Sequence, residues 1–347
     1  MRLGAGRAGC LPATTDDDEE ARLIELEELP ELVDPVMIAA FEGWNDAADA
    51  ASNAVRHLAE VLDADLFGAM DAEDYYDFQV NRPTLAINED GEREMVWPTT
   101  RFSVARVPVA GPAGSGSAKS GGADGVVAEG EAADEEAGEP RVRDVVLVHG
   151  IEPNMRWQSF SEELFDLARD LGVSTVVVLG ALLADVPHTR PVPVSGSSGD
   201  PDLCAAHGLE LPTYQGPTGI NGVLQELARQ EEIPLVSFWA AVPHYVAQAP
   251  CPKATLALIR RLEDLLDLAI PTGDLPQEAQ EWESGVDELA GEDSEVAEYV
   301  RSLEEAKDTA DLPEASGEAI ALEFERYLRR HERRRRGGED GGPAASI

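Results

Sequence analysis

His149, His188 and His244 are the side chains in this sequence best suited to chemistry, and each follows an apolar run. Imidazole titrates near neutral pH and ligates metals, so each of the three could serve as a general base or a ligand. Other polar groups accompany them. Glu42, Trp44, Asn45 and Asp46 follow the run that ends at Phe41. Gly150, Glu152, Arg156 and Trp157 follow His149. Asp185, Thr189 and Arg190 surround His188, and Tyr245 follows His244. Arg190 offers a planar fork that matches a carboxylate or a phosphate. Every one of these residues also has a purely structural role open to it. Asp46 can cap a helix, "HTRP" can anchor a loop, and backbone carbonyls can satisfy a histidine at a strand end.

A second stretch, "YQGPTGINGVL" at Tyr214–Leu224, places three glycines and a proline before "QELARQ". It lacks the Gly-Lys-Ser/Thr ending of a phosphate loop and is not G-x-G-x-x-G. Its free amides at a helix start suit an anion. Thr218 is placed to cap that helix, and Gly219 and Gly222 to let it approach a sheet closely. No catalytic set assembles. Neither G-x-S-x-G nor H-E-x-x-H occurs, and "SGSSGD" has the wrong spacing for a nucleophile elbow. A glycosidase-type carboxylate pair cannot be singled out among 68 acidic residues. The candidate ligand or partner rim is therefore Trp44, Asn45, Asp46, His149, His188, Arg190, Thr218, Gly219 and His244, with no catalytic residue, metal or cofactor expected.

The elements that must position this rim are four continuous apolar runs: "PVMIAAF", "DVVLVHG", "STVVVLG" and "PLVSFWA". Runs of that length and composition predict buried strands. Between and after them, helical spacing predicts helices in "AADAASNAVRHLAEVL", "FSEELFDLARDLG", Ile220–Gln230 and "CPKATLALIRRLEDLLDLAI". Asp46 is expected to cap the first of these and Ser161 the second, with Gly172 ending the second. Strands alternating with helices predict an α/β fold with a mostly parallel sheet flanked by helices. In such sheets ligands bind beyond the carboxyl ends of the strands, which is where the rim residues fall. "ADLFGAM" reads as a further strand, and "EREMVWP" and "TRFSVARVPV" as antiparallel or edge strands. A long segment lies between "STVVVLG" and "YQGPTG", and "SGSSGD" within it reads as a Pro/Ser/Gly loop.

Around this unit the composition changes. Residues 1–33 form an acidic tail, 34–270 the α/β domain, 271–336 an acidic helical extension and 337–347 a second tail. The segment of about 110–142, "AGPAGSGSAKSGGADGVVAEGEAADEEAGEPR" at its centre, has almost nothing to bury and is expected to be a disordered insertion. The run Arg333–Arg336 reads either as a basic docking site or as a helix end that complements the macrodipole and then frays.

The formal net charge is −41. That balance argues against nucleic acid and anionic membranes as partners, because both need cationic contacts. Three cysteines without a C-x-x-C pair argue against a disulfide framework and a thiolate zinc site. No apolar run reaches a membrane span, and the first residues lack the apolar core of a secretory signal, so a cytoplasmic location is expected.

"FEGWNDAADAASNAV", "DYYDFQVNRP", "GALLADVPHTRP", "YQGPTGINGVL" and "SFWAAVPHYV", in that order, resemble the proteasome assembly chaperone two family, in particular its actinobacterial members. The resemblance covers about 35–270 without the insertion. It implies a fold similar to nucleoside phosphorylases and hydrolases with a C-terminal helical extension. It also implies homo-oligomers, a trimer among them, and a protein partner, with proteasome subunits the candidate. Relatives dock through a terminal hydrophobic–Tyr–any motif. This sequence ends "GGPAASI", so docking in that manner is not expected. The resemblance brings no catalytic residues. Two functions are thus open: a non-enzymatic protein-binding or assembly factor, or an enzyme or sensor for an anionic or nucleoside-like small molecule in the strand-end crevice.

Overall fold

The computed structural model describes residues 24–26, 31–88, 91–109, 142–246 and 248–311. Most of the acidic N-terminal tail, the expected insertion, the segment after 311, Arg333–Arg336 and the tail 337–347 lie outside the described residues.

In chain order the elements are β1 (Ile24–Leu26), β2 (Val36–Glu42), α1 (Ala50–Val61), β3 (Asp65–Met70), α2 (Ala72–Tyr75), β4 (Thr84–Ile87), β5 (Arg93–Val96), β6 (Arg101–Pro108), β7 (Val142–Ile151), α3 (Trp157–Asp170), β8 (Thr175–Ala184), β9 (Val194–Ser198), α4 (Pro201–His207), α5 (Ile220–Gln230), β10 (Leu235–Pro243), α6 (Pro252–Leu266), α7 (Leu275–Glu292) and α8 (Ser294–Asp311). The main sheet has the order β1-β3-β6-β7-β2-β8-β10-β9. Its centre, β7-β2-β8-β10, is parallel throughout. These four strands are the four apolar runs of the sequence. Antiparallel strands flank them, β6, β3 and β1 on one side and β9 on the other. β4 and β5 form a separate hairpin.

The central strands are continuous apolar runs because both of their faces are covered. Along β2, Val36, Ile38 and Ala40 join the core under α1 and α6, while Met37, Ala39 and Phe41 join the core under α3 and α5. α7 extends the first of these cores, contributing Leu275 and Ala279.

Two local expectations are corrected. Ser161 does not cap α3. The helix starts at Trp157, after Arg156 in left-handed backbone at φ 55, and Ser161 lies inside it. Its hydroxyl donates to the Trp157 carbonyl at 2.8 Å, the back-bonding open to a serine in a helix interior. Gly172 does close the helix, with φ +69. "SGSSGD" is not all loop: its first residues belong to β9, and α4 follows it. β9 reads "VSGSS", a poor strand by propensity. Gly196 is required there, since a Cβ would stand 2.6 Å from the Phe238 ring.

Candidate functional site

Parallel pairing brings the carboxyl ends of β7, β2, β8 and β10 to one edge, and the rim residues resolve there into two groups.

The first group surrounds the turn after β2. Asp46 is buried, and its carboxylate accepts the amides of Ala51 at 2.7 Å and Ser52 at 3.2 Å. It therefore caps α1 as expected, although a short 3-10 turn, Ala47–Asp49, separates it from the helix. Burial pushes its carboxyl above the usual range, opposed by the hydrogen bonds from Ser52 and Ala51. The Asn45 carbonyl accepts the Ala181 amide at 2.8 Å, which ties the turn to β8. The Asn45 side-chain amide donates to Glu152 Oε1 at 2.6 Å. The same Glu152 oxygen accepts the Ile220 amide, the first of α5, at 2.8 Å.

That contact puts a carboxylate of the chain itself at the helix start that follows the glycine-rich loop. The expected Thr218 cap is corrected: Gly219 occupies the cap position in extended backbone and α5 has no side-chain cap of its own. The carboxylate of Glu152, supplied from the end of β7, sits where an anion was expected. Gly219 makes room for it. A Cβ at this position would stand 2.4 Å from Asn45 Oδ1 and 2.6 Å from Glu152 Oε1. Gly222 faces Thr218 in the same way, with a would-be Cβ 1.9 Å from Thr218 Oγ1. His149, within β7, places Nε2 3.4 Å from Glu42 Oε1, while Arg56 reaches the same oxygen at 3.1 Å. The His149 contact, followed by the charges of His149 and Arg56, holds the Glu42 carboxyl below its usual range against the effect of burial. Trp44 stands clear of this network, 67% exposed.

The second group lies beyond β8 and β10, against the helical extension. His188 is fully buried: the Tyr245 hydroxyl stands 2.8 Å from both its backbone nitrogen and Nδ1, and Nε2 is 3.0 Å from Asp287 of α7. Nδ1 thus faces the phenol and Nε2 the carboxylate. Burial pushes the Tyr245 phenol up to about 12, so it remains a donor at neutral pH. Lys253 donates to the His188 carbonyl and, at 2.6 Å, to Glu283 of α7. Arg190 makes a fork with Asp308 of α8, 2.8 Å on each arm, and reaches Glu304 at 3.1 Å. Thr189 donates to the same Glu304. His244 Nδ1 is 3.1 Å from Asp185 Oδ1, which also accepts from the Tyr299 hydroxyl at 3.1 Å. The His244, Tyr245 and Tyr299 rings pack edge-on, with centroids 5.5–6.0 Å apart.

Each rim side chain that could grip an anion thus has an acidic partner from the chain itself. The partners on α7 and α8 were not identified from sequence: Asp287, Tyr299, Glu304 and Asp308 are ordinary members of an acidic tract, and only the tertiary fold sets them apart. A cleft of about 510 Å³ adjoins this group, between α6, α7 and the segment before β9. Lys253, Arg260, Arg261 and Glu283 are its charged lining. No group of three or more histidine, cysteine or carboxylate side chains able to hold a metal occurs among the described residues. Burial pushes the Cys251 thiol up to about 11, which makes it a poor nucleophile. No helix among the described residues is long and apolar enough to cross a membrane.

Comparison with known proteins gives this arrangement a context. The family model described as "PAC2 family" matches residues 40–290. A PAC2 family protein from Streptomyces avermitilis is 56% identical, with a TM-score of 0.65, covering 77% of this chain and all of its own. A proteasome-assembly chaperone homologue from Mycobacterium tuberculosis is 47% identical, with a TM-score of 0.60, covering 76% of this chain and 99% of its own. An archaeal proteasome activator from Pyrococcus furiosus shares the fold, with a TM-score of 0.53 at 16% identity over 77% of this chain and 97% of its own. Comparison with curated proteins finds no match.

Proposed function

The chain belongs to the PAC2 family, and from that premise we propose that it is a non-enzymatic, cytoplasmic protein-binding factor that assists the assembly of proteasome particles. The observation that carries the reading is the state of the strand-end edge. Arg190, His188 and His244 have acidic partners within the chain, while Trp44, Leu182, Leu183 and Tyr214 stay exposed. Exposed aromatic and aliphatic side chains beside charged groups already paired within the chain suit a protein interface better than a small-molecule pocket. The M. tuberculosis relative is described as a proteasome-assembly chaperone homologue, which supports proteasome subunits as the partner. A homo-oligomer, with a trimer as the expected size, is part of the proposal.

The second reading, an anionic or nucleoside-like ligand in the strand-end crevice, has one observation in its favour: the cationic cleft beside His188. Within the crevice itself, Glu152 occupies the start of α5 and Asp308 occupies Arg190, which weighs against it.

The test is co-purification of the full chain with proteasome subunits of its own cell, followed by crosslinking and mass spectrometry. Capture of those subunits that is lost in Trp44→Ala/Tyr214→Ala, at unchanged thermal stability, is the expected result. Absence of any proteasome subunit at every salt concentration would overturn it.

A further inference from the structure

β4 and β5 pair with each other and with no other strand among the described residues. A two-stranded hairpin is marginal in water unless one of its faces is packed. The ladder sets Leu85 opposite Met95 and Ile87 opposite Arg93. Side chains alternate along a strand, so Leu85, Ile87, Met95 and Trp97 fall on one face, with Arg93 at its tip. That face is exposed: Leu85 by 56%, Ile87 by 73%, Met95 by 44% and Trp97 by 43%. Trp97 ties the hairpin to the body of the fold through the Phe78 ring, with centroids 4.9 Å apart. The rest of the face has no cover among the described residues.

We propose that the hairpin face of Leu85, Ile87, Met95 and Trp97 is buried against a second copy of this chain. Two observations select that occupant. The first is area. The four side chains leave about 500 Å² uncovered, whereas a standard interface takes about 800 Å² from each partner, a little more than half of it apolar. The face therefore supplies nearly the whole apolar share of one partner. The second is charge. The chain carries −41 overall, yet between Phe78 and Pro108 Arg82, Arg93, Arg101 and Arg106 offset Glu89, Asp90, Glu92 and Glu94. Two copies of so acidic a chain repel over most of their surface and meet most readily where the charge cancels. A charge-balanced apolar face offers an outside partner little to be steered by, and lasting contacts between identical chains are the more apolar class.

This inference rests on the homo-oligomer of the proposed function and assigns part of its interface. The probe is the full chain with a benzophenone amino acid in place of Ile87, irradiated both purified and in lysate of its own cell. Mixing isotope-labelled with unlabelled protein tells an adduct between copies from one within a chain. The adduct is expected on a second copy. In parallel, sedimentation compares the unaltered chain with Leu85→Gln/Ile87→Gln and with Leu289→Gln, which alters an exposed leucine of α7. Circular dichroism and thermal unfolding establish that each is folded. The hairpin glutamines should raise the dissociation constant of the oligomer at least tenfold, and Leu289→Gln should leave it unchanged. Equal weakening by both variants overturns the proposal. So do adducts confined to one chain, which would show the chain covering its own hairpin, or adducts on a proteasome subunit in place of a second copy. An oligomer indifferent to the hairpin glutamines overturns this surface and leaves the oligomer standing, whereas an unaltered chain that stays a single copy at every concentration removes both. Capture of proteasome subunits is read separately, through Trp44 and Tyr214.

Discussion

Glu152 shows how one carboxylate can decide the use of a whole loop. It links the β2 turn, through Asn45, to the first amide of α5. Glu152→Gln keeps the shape but removes the charge at the helix start, and should cost about 1–2 kcal/mol in chemical denaturation. Gly219→Ala should cost more than its size suggests, about 1–3 kcal/mol, because the new methyl meets a buried amide and this carboxylate at once. An unchanged unfolding midpoint for Gly219→Ala would show that the loop can move aside. At this scale the sequence was partly legible. The Asp46 cap follows from local spacing, a few residues before the helix it serves. The Glu152 cap does not, since its partner lies 68 residues away, and local pattern pointed to Thr218 instead.

Among the elements, the four central strands were legible because burial on both faces leaves only apolar residues, a signal that needs no neighbour to interpret. β9 was not, because its fitness comes from what packs on it: Gly196 admits Phe238 and Leu209, and small polar residues at a sheet edge carry no apolar pattern. α3 was legible as a helix but not at its start. Its packing is tested by Phe160→Ala. Phe160 is fully buried with edge-on contacts to Phe41 and Tyr75 at 5.7 and 5.3 Å, and its truncation should cost about 3–5 kcal/mol. α8 should respond to acid. It packs on Arg190, Thr189, Asp185, His244 and Tyr245, and Asp287 of α7 stands nearby against His188. The Arg190 fork holds the Asp308 carboxyl below its ordinary range. A depressed carboxyl stabilises the folded state above the unfolded value, about 3.9, and that contribution is lost as pH falls through the lower folded value. Hydrogen exchange in 294–309 should therefore rise at acid pH before the sheet unfolds. Protection that persists until global unfolding would contradict this.

For the molecule as a whole, the sheet has two kinds of territory. Its parallel centre positions the strand-end edge, and its antiparallel flank sets the edge of the fold. Light scattering of the full chain should give a mass several times that of one copy, three copies being the expected value; a single-copy mass at every concentration would remove the oligomer from the proposed function. The flank has a further consequence. β6 and β7 pair along their whole shared length, with Pro108 opposite Val142, and the chain leaves this pair at 109 and returns at 142. Departure and return are thus side by side, and their register is fixed by the ladder whatever joins them. A tight Asn-Gly turn could close the pair there, or new termini could be opened in a circular permutant with the remaining topology untouched. At this seam the chain can take up or lose residues while every other element keeps its neighbours.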